Sequence, residues 1–200
     1  MDTRLALCDV RGPLTDLLEK LSGDDGEQWF HGLNKFLRKD NPWAALFPVW
    51  RTLTIGGVSK DELMAGLGNG FFVSDWAKDI MSKLGFATLP EPTEIHLART
   101  TVKDLGFKKE PTTTELYTRI KEVGDLCPAE AGPHLRLADT DQPNDSWYWI
   151  AMEPITDSGG RPYVFYVLRD GDGRRWLCTS YAFPGGRWDL VLEIVFRLCK

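Results

Sequence analysis

Residues 127–136 read Cys127-Pro128-Ala129-Glu130-Ala131-Gly132-Pro133-His134-Leu135-Arg136. A thiol, a carboxylate, an imidazole and a guanidinium in one short stretch are the parts of a nucleophile, a base and an anion clamp. The enzyme they would make is a hydrolase centred on Cys127, Glu130, His134 and Arg136. A nucleophile and its base must lie within hydrogen-bond reach, and a stretch holding two prolines does not by itself bring them there. The competing reading is a buried cysteine that opens a rigid Pro-Gly loop, with Arg136 paired to Glu130 or to a carboxylate elsewhere. Cys127 and His134 alone leave tetrahedral zinc incomplete, so no metal and no cofactor is expected.

Other polar groupings are weaker. Asp170-Gly171-Asp172-Gly173 opens like a calcium loop but continues Arg174-Arg175-Trp176, without the remaining acidic ligands, and hairpin turn chemistry accounts for it. Asp139, Asp141 and Asp145 could pair carboxylates for acid and base work or for magnesium, but they sit in a segment rich in turn residues and read as a solvated loop. His31 and His96 are isolated within a helical and a strand pattern. The helical patterns between residues 59 and 84 have the rough length of a helix-turn-helix, and DNA binding is the reading they suggest. The second offers Asp75, Lys78, Asp79 and Lys83, a balanced set that serves phosphates poorly. Last come the aromatics. Trp147, Tyr148 and Trp149 are consecutive, so on a strand both tryptophans face one way and Tyr148 the other. Tyr166, Trp176, Tyr181 and Trp188 could extend the patch into a binding surface, or the sheet could be covered on both sides.

The elements that must position these residues follow from period and punctuation. Residues 15–21 and 25–38 read as two helices, the second with Trp29, Phe30, Leu33, Phe36 and Leu37 on one stripe and Asn41-Pro42 as its stop. Alternation predicts a strand over residues 49–55 and another around Ile95, Leu97 and Arg99. Ser59 with Glu62 and Thr112 with Glu115 are capping boxes, and Ser74 caps a third helix. Beyond residues 139–145 the text turns aromatic and β-branched, and 147–155, 163–168, 175–183 and 188–198 are separated by Asp157-Ser158-Gly159-Gly160, Asp170-Gly171-Asp172-Gly173 and Pro184-Gly185-Gly186. Three successive hairpins make an antiparallel meander. Residues 188–198 also fit a helix, though their Val and Ile content favours a strand.

The phrases Leu105-Gly106-Phe107, Cys127-Pro128-Ala129-Glu130 continuing through Gly132-Pro133-His134-Leu135-Arg136-Leu137, and Asp141-Gln142-Pro143 together resemble a group of bacterial proteins with no activity attached. The resemblance spans residues 49–198. It implies a bacterial or phage origin and one recurring module, with the amino-terminal helices as an addition, and it transfers no catalytic residue.

The whole chain sets the bounds. Its 200 residues, 42% hydrophobic and 26% charged, are enough for a real core. The expected fold is α+β: a helical segment over residues 1–45, a mixed region over 46–142, and a meander over 143–200 that forms one unit with it. A net charge of -5 argues against nucleic acid as partner. Cys8, Cys127, Cys178 and Cys199 lie far apart and read as free thiols. Asp2, Arg4 and Asp9 interrupt any signal-peptide core, and no apolar run reaches the roughly 18 residues of a bilayer span, so a cytoplasmic protein without a membrane partner is expected. With no motif complete enough for chemistry, the residues favour a non-enzymatic module that binds another protein, ahead of the hydrolase and of DNA binding.

Overall fold

The computed structural model describes residues 7–37 and 47–198. Contacts divide the chain into two units, residues 1–46 and 47–200. In the first, α1 (Leu7–Ser22) and α2 (Gly26–Leu37) are joined by a turn in which Gly26 N donates to Gly23 O at 2.9 Å. α1 begins well before Thr15 and carries Pro13 inside it, where the ring removes one helical donor. The Lys20 ammonium lies 4.6 Å from the Trp29 ring centre and pairs with Asp16 at 3.1 Å. Asn41 and Pro42, read above as the stop after α2, and Cys199 lie outside the described residues.

The second unit is built on one mixed sheet. Its strands are β1 (Arg51–Ile55), β2 (Phe72–Val73), β3 (Thr93–Thr101), β4 (Ser146–Ile150), β5 (Ile155–Thr156), β6 (Pro162–Arg169), β7 (Arg175–Tyr181) and β8 (Glu193–Arg197). They lie in the order β1-β3-β8-β4-β6-β7-β2, with β5 against β6. β4 runs parallel to β8 and β2 parallel to β7; the other pairs are antiparallel. The helices are α3 (Lys60–Gly68), α4 (Asp75–Ser82), α5 (Thr113–Val123) and α6 (Ala131–Ala138). The α+β class therefore holds. Both capping boxes form: Ser59 Oγ accepts from Glu62 N at 3.2 Å and Thr112 Oγ1 from Glu115 N at 3.3 Å, while each glutamate accepts the cap residue's own amide at 2.7 Å.

The purely antiparallel meander does not hold. β4, β6 and β7 are antiparallel neighbours, but β8 leaves β7 and inserts between β3 and β4. The reason lies at Pro184-Gly185-Gly186, which serves a helix rather than a hairpin. Gly186 O accepts from Thr113 N at 2.8 Å and Pro184 O from Thr114 N at 3.2 Å, giving partners to first-turn amides of α5 that the helix itself cannot satisfy. Trp188 then buries its ring, its Nε1 donating to Thr113 Oγ1 at 2.9 Å. Ile194, Val195 and Phe196 are all buried in succession, as a central strand covered on both faces requires.

A second correction concerns the rigid Pro-Gly loop read as starting at Cys127: from Ala131 to Ala138 the chain is a helix, α6. Pro133 is the third residue of that helix, where its missing amide has no intrahelical acceptor to lose. Gly132 permits close packing: a Cβ there would stand 2.9 Å from the Phe165 ring on β6. α6 therefore covers the sheet face that carries Phe165, and Phe86, in the link after α4, joins it edge-on to Phe165 at 6.0 Å. On the opposite face Phe47 meets Phe196 edge-on at 5.3 Å. Among the described residues, no helix is long and apolar enough to cross a membrane.

Phe196→Ala should cost about 3–5 kcal/mol of unfolding free energy in a urea titration, the usual loss for emptying a fully buried aromatic site. Leu84→Ser, at a fully exposed position, should stay within about 0.5 kcal/mol.

Candidate functional site

The constellation at residues 127–136 is brought together in part, and its parts have structural work. Glu130, fully buried just ahead of α6, accepts from Leu89 N at 2.9 Å through Oε1 and from Gly56 N at 3.1 Å through Oε2. It thereby ties the link before β3 to the turn after β1. That turn needs glycine, since Gly56 has φ +77° and a Cβ would stand 2.4 Å from Glu91 O. His134, one helical turn on, places Nε2 3.5 Å from Glu130 Oε2. Burial lowers the His134 pKa, against the opposing pull of Glu130.

Arg136 is fully buried and clamps the following loop. Nη1 donates to Gln142 Oε1 at 2.7 Å and to Leu168 O at 3.2 Å, and Nη2 to Asp139 O at 2.5 Å. Gln142 passes the connection on, its Nε2 donating to Ser146 O at 2.9 Å and Val167 O at 3.3 Å. Cys127 does not join the imidazole. It is buried, its Sγ donates to Val195 O at 3.9 Å, and burial pushes the thiol up to about 12. Burial and a raised pKa both disfavour the thiolate that a nucleophile needs. Among the described residues no group of three His, Cys, Asp or Glu side chains could hold a metal ion.

The helices of residues 59–84 are not joined by a turn: β2 stands between them and pairs with β7. On α4, Lys78 pairs with Asp75 at 3.1 Å and Lys83 with Asp79 at 2.8 Å. Asp79, which also accepts from the Ser158 amide and hydroxyl at 2.7 Å each, is held down to about 2, first by Lys83 and then by Ser158. Lys78 and Lys83, the cations of α4 and its C-terminal cap, are thus already matched.

The three consecutive aromatics divide as strand geometry requires. Tyr148 is fully buried on the α6 side, where its hydroxyl donates to Asp139 Oδ2 at 2.8 Å; Arg51 Nη2 holds Asp139 Oδ1 at 3.0 Å. Burial, then the Asp139 charge, pushes the Tyr148 phenol well above its usual range. Trp50 meets the Tyr148 ring edge-on at 5.3 Å, and the Arg99 guanidinium lies 4.6 Å from that ring's centre.

Trp147 and Trp149 point to the other face, where one region is left open. Registers align Trp147, Leu168, Trp176 and Phe72 in a row across β4, β6, β7 and β2, with Trp149, Tyr166 and Cys178 in the next. Trp147 and Phe72 are each 44% exposed, and Leu168, Trp176, Trp149 and Tyr166 are half-buried. Phe72 stacks on Trp176 with ring centres 4.7 Å apart, and Trp149 lies 5.6 Å from Tyr166. The Asp170-Gly171-Asp172-Gly173 turn fixes Trp176: Asp170 Oδ2 accepts from its Nε1 at 3.0 Å, while Oδ1 accepts from Arg174 N at 2.8 Å. Of the expected additions, Tyr181 falls on the opposite face by register, and Trp188 is buried against Trp149, edge-on at 6.1 Å. Sequence reasoning missed Phe72, because a two-residue strand carries no periodicity to read.

No protein-family model, curated protein or solved structure matches the chain.

Two outcomes follow. A histidine whose folded pKa lies below its unfolded value, near 6.5, binds fewer protons folded than unfolded. Its contribution to stability is complete above about pH 6.5 and is lost as pH falls through that value toward the folded pKa. Urea midpoints should therefore drop on acidification from about pH 7 to about pH 5, and His134→Gln should flatten part of that slope. Iodoacetamide at about pH 8 should leave Cys127 unlabelled in peptide mass maps until the chain is unfolded, as its raised pKa demands.

Proposed function

We propose that the chain is a non-enzymatic binding module whose partner is a protein segment laid across the open aromatic region of the sheet. The observation that carries this is the row Trp147, Leu168, Trp176 and Phe72, with Trp149 and Tyr166 beside it, on a sheet face whose other end is covered. Contiguous exposed apolar surface of this kind marks interaction sites, and tryptophan and tyrosine supply much of the affinity where such surfaces bind. The sheet holds these rings in fixed register, so little side-chain freedom would be lost on binding. The hydrolase reading lacks an accessible nucleophile at Cys127, and the DNA reading lacks unmatched cations on α4.

Selection of a random-peptide display library on the full chain tests this. Wild type should enrich a related family of peptides, and Trp147→Ser combined with Phe72→Ser should lose them, each aromatic being worth about 2 kcal/mol or roughly thirtyfold in affinity. The urea midpoint should fall only modestly, because each ring is already 44% exposed and neither belongs to the buried core. No enrichment, or undiminished capture by the double variant, would sink the proposal.

A further inference from the structure

β7 is an edge strand for part of its length. It lies between β6 and β2, and β2 pairs with it only at Trp176 and Leu177. Asp170 N donates to Arg174 O at 3.0 Å and Ala182 N to Pro162 O at 2.9 Å, so in the β6–β7 register even-numbered residues of β7 turn their backbone groups to β6 and odd-numbered ones turn theirs outward. Leu177 O, turned outward, accepts from Ser74 N at 3.0 Å. There the chain leaves the edge: Ser74 caps α4, and its carbonyl is taken by Lys78 N at 3.0 Å. The outward N–H and C=O groups of Thr179 and Tyr181 are left without a hydrogen-bond partner among the described residues.

This stretch is also unguarded. Natural sheet edges are blunted by charged side chains, prolines or bulges, and Cys178-Thr179-Ser180-Tyr181-Ala182-Phe183 carries neither charge nor proline. Exposed aromatics flank it: Phe72 on β2 at one end, Tyr181 stacked on Phe183 with ring centres 4.9 Å apart at the other, and Trp76 on α4, which packs against β7. Phe72, stacked on Trp176, and Tyr181 lie on opposite faces of the sheet. The row Trp149, Tyr166 and Cys178 has no member on β2 and therefore ends at this open edge.

We infer that the partner segment adds to the sheet as a further strand, running along β7 beside residues 178–182 and bonding through its own backbone to Thr179 and Tyr181. Unpaired amide and carbonyl groups in this alternation match the backbone of an extended polypeptide, which offers the same groups at the same spacing. Side chains of a strand alternate between faces, so apolar residues on the added one meet the Phe72 side and the Tyr181 side in turn. The inference rests on the reading above that the partner is a protein, and adds how that partner is held: by main-chain bonds at the edge where the aromatic face ends.

Amide exchange on the full chain, read by proton–nitrogen NMR, is the first check. In the free protein the amides of Cys178 and Ser180 should exchange slowly and those of Thr179 and Tyr181 rapidly. Equal protection of all four would mean that the edge is already filled, and overturns the inference. The peptides enriched in the library selection are the probe for the second check. They should slow exchange at Thr179 and Tyr181. N-methylation along them should cost about tenfold or more in affinity at alternate positions and little in between, since only every second amide of an added strand faces β7. Thr179→Pro should weaken them by a similar factor with a urea midpoint close to wild type. Proline is tolerated at an edge where the N–H faces outward, and Thr179 Oγ1 has no hydrogen bond among the described residues to lose. Loss without alternation, or undiminished binding by a folded Thr179→Pro chain, overturns the inference; the exchange and N-methylation measurements use the unaltered chain. The outcomes separate the two levels. Peptides lost with the Trp147→Ser, Phe72→Ser double variant but showing no alternation defeat the added strand and leave the aromatic face standing. Peptides that alternate but ignore the double variant do the reverse, and no enrichment defeats both. A doubling of mass with concentration that Thr179→Pro abolishes would make the occupant a second copy, and overturns the inference.

Discussion

The second unit depends on charge buried at the two ends of a short helix. At the start of α6, Glu130 fixes the backbone of two distant segments through Gly56 and Leu89; near its end, Arg136 fixes three acceptors on the loop that leads to β4 and on β6. Neither group reaches water, so each must be satisfied by the protein or cost several kcal/mol. Both are met mainly by backbone groups and an amide, which do not require a second buried charge. This makes the helix a clamp, and explains how eight residues containing a glycine and a proline remain helical: position is imposed by the groups at either end rather than by propensity.

The aromatic face is a consequence of that clamp. Arg136 closes the loop through the Asp139 carbonyl and Gln142, which leaves the Asp139 carboxylate to receive the Tyr148 hydroxyl and Arg51. Tyr148 is thereby committed to the α6 side. On a strand, its two neighbours have no choice but the opposite side. The outward display of Trp147 and Trp149 is fixed by a tyrosine that no ligand can reach, and the polar cluster that looks like chemistry in the sequence serves a surface that looks like core.

How much of this was legible depends on range. Local signals were read where local physics decides: the capping boxes at Ser59 and Thr112, the strand alternation around Leu53 and Ile95, and the opposite facing of Tyr148 and its tryptophan neighbours all hold. What failed was long-range. Pro184-Gly185-Gly186 has hairpin composition, and only the first turn of α5, some seventy residues earlier, shows why it docks instead. Gly132-Pro133 has loop composition, and only Phe165 and the first-turn rule for proline show why a helix suits it. Whether Trp147 or Tyr148 would be covered could not come from the strand itself, because both are large and apolar; the decision lay with Asp139 and Arg136, whose burial has no sequence signature.

The same crossover that breaks the meander leaves the face open. By docking on the first turn of α5, residues 184–188 carry Trp188 into the outer face beside Trp149, and β8 returns at the middle of the sheet rather than beside β7. Had the chain turned back as a fourth meander strand, β2 could not have paired with β7 and Phe72 would not have been stacked on Trp176. Apolar surface left in water forgoes roughly 25 cal/mol for each Å², a cost the fold could have avoided by a shorter connection. That it is carried on a rigid sheet, with Trp176 held by Asp170 and Tyr148 held by Asp139, is what a preorganised binding surface requires.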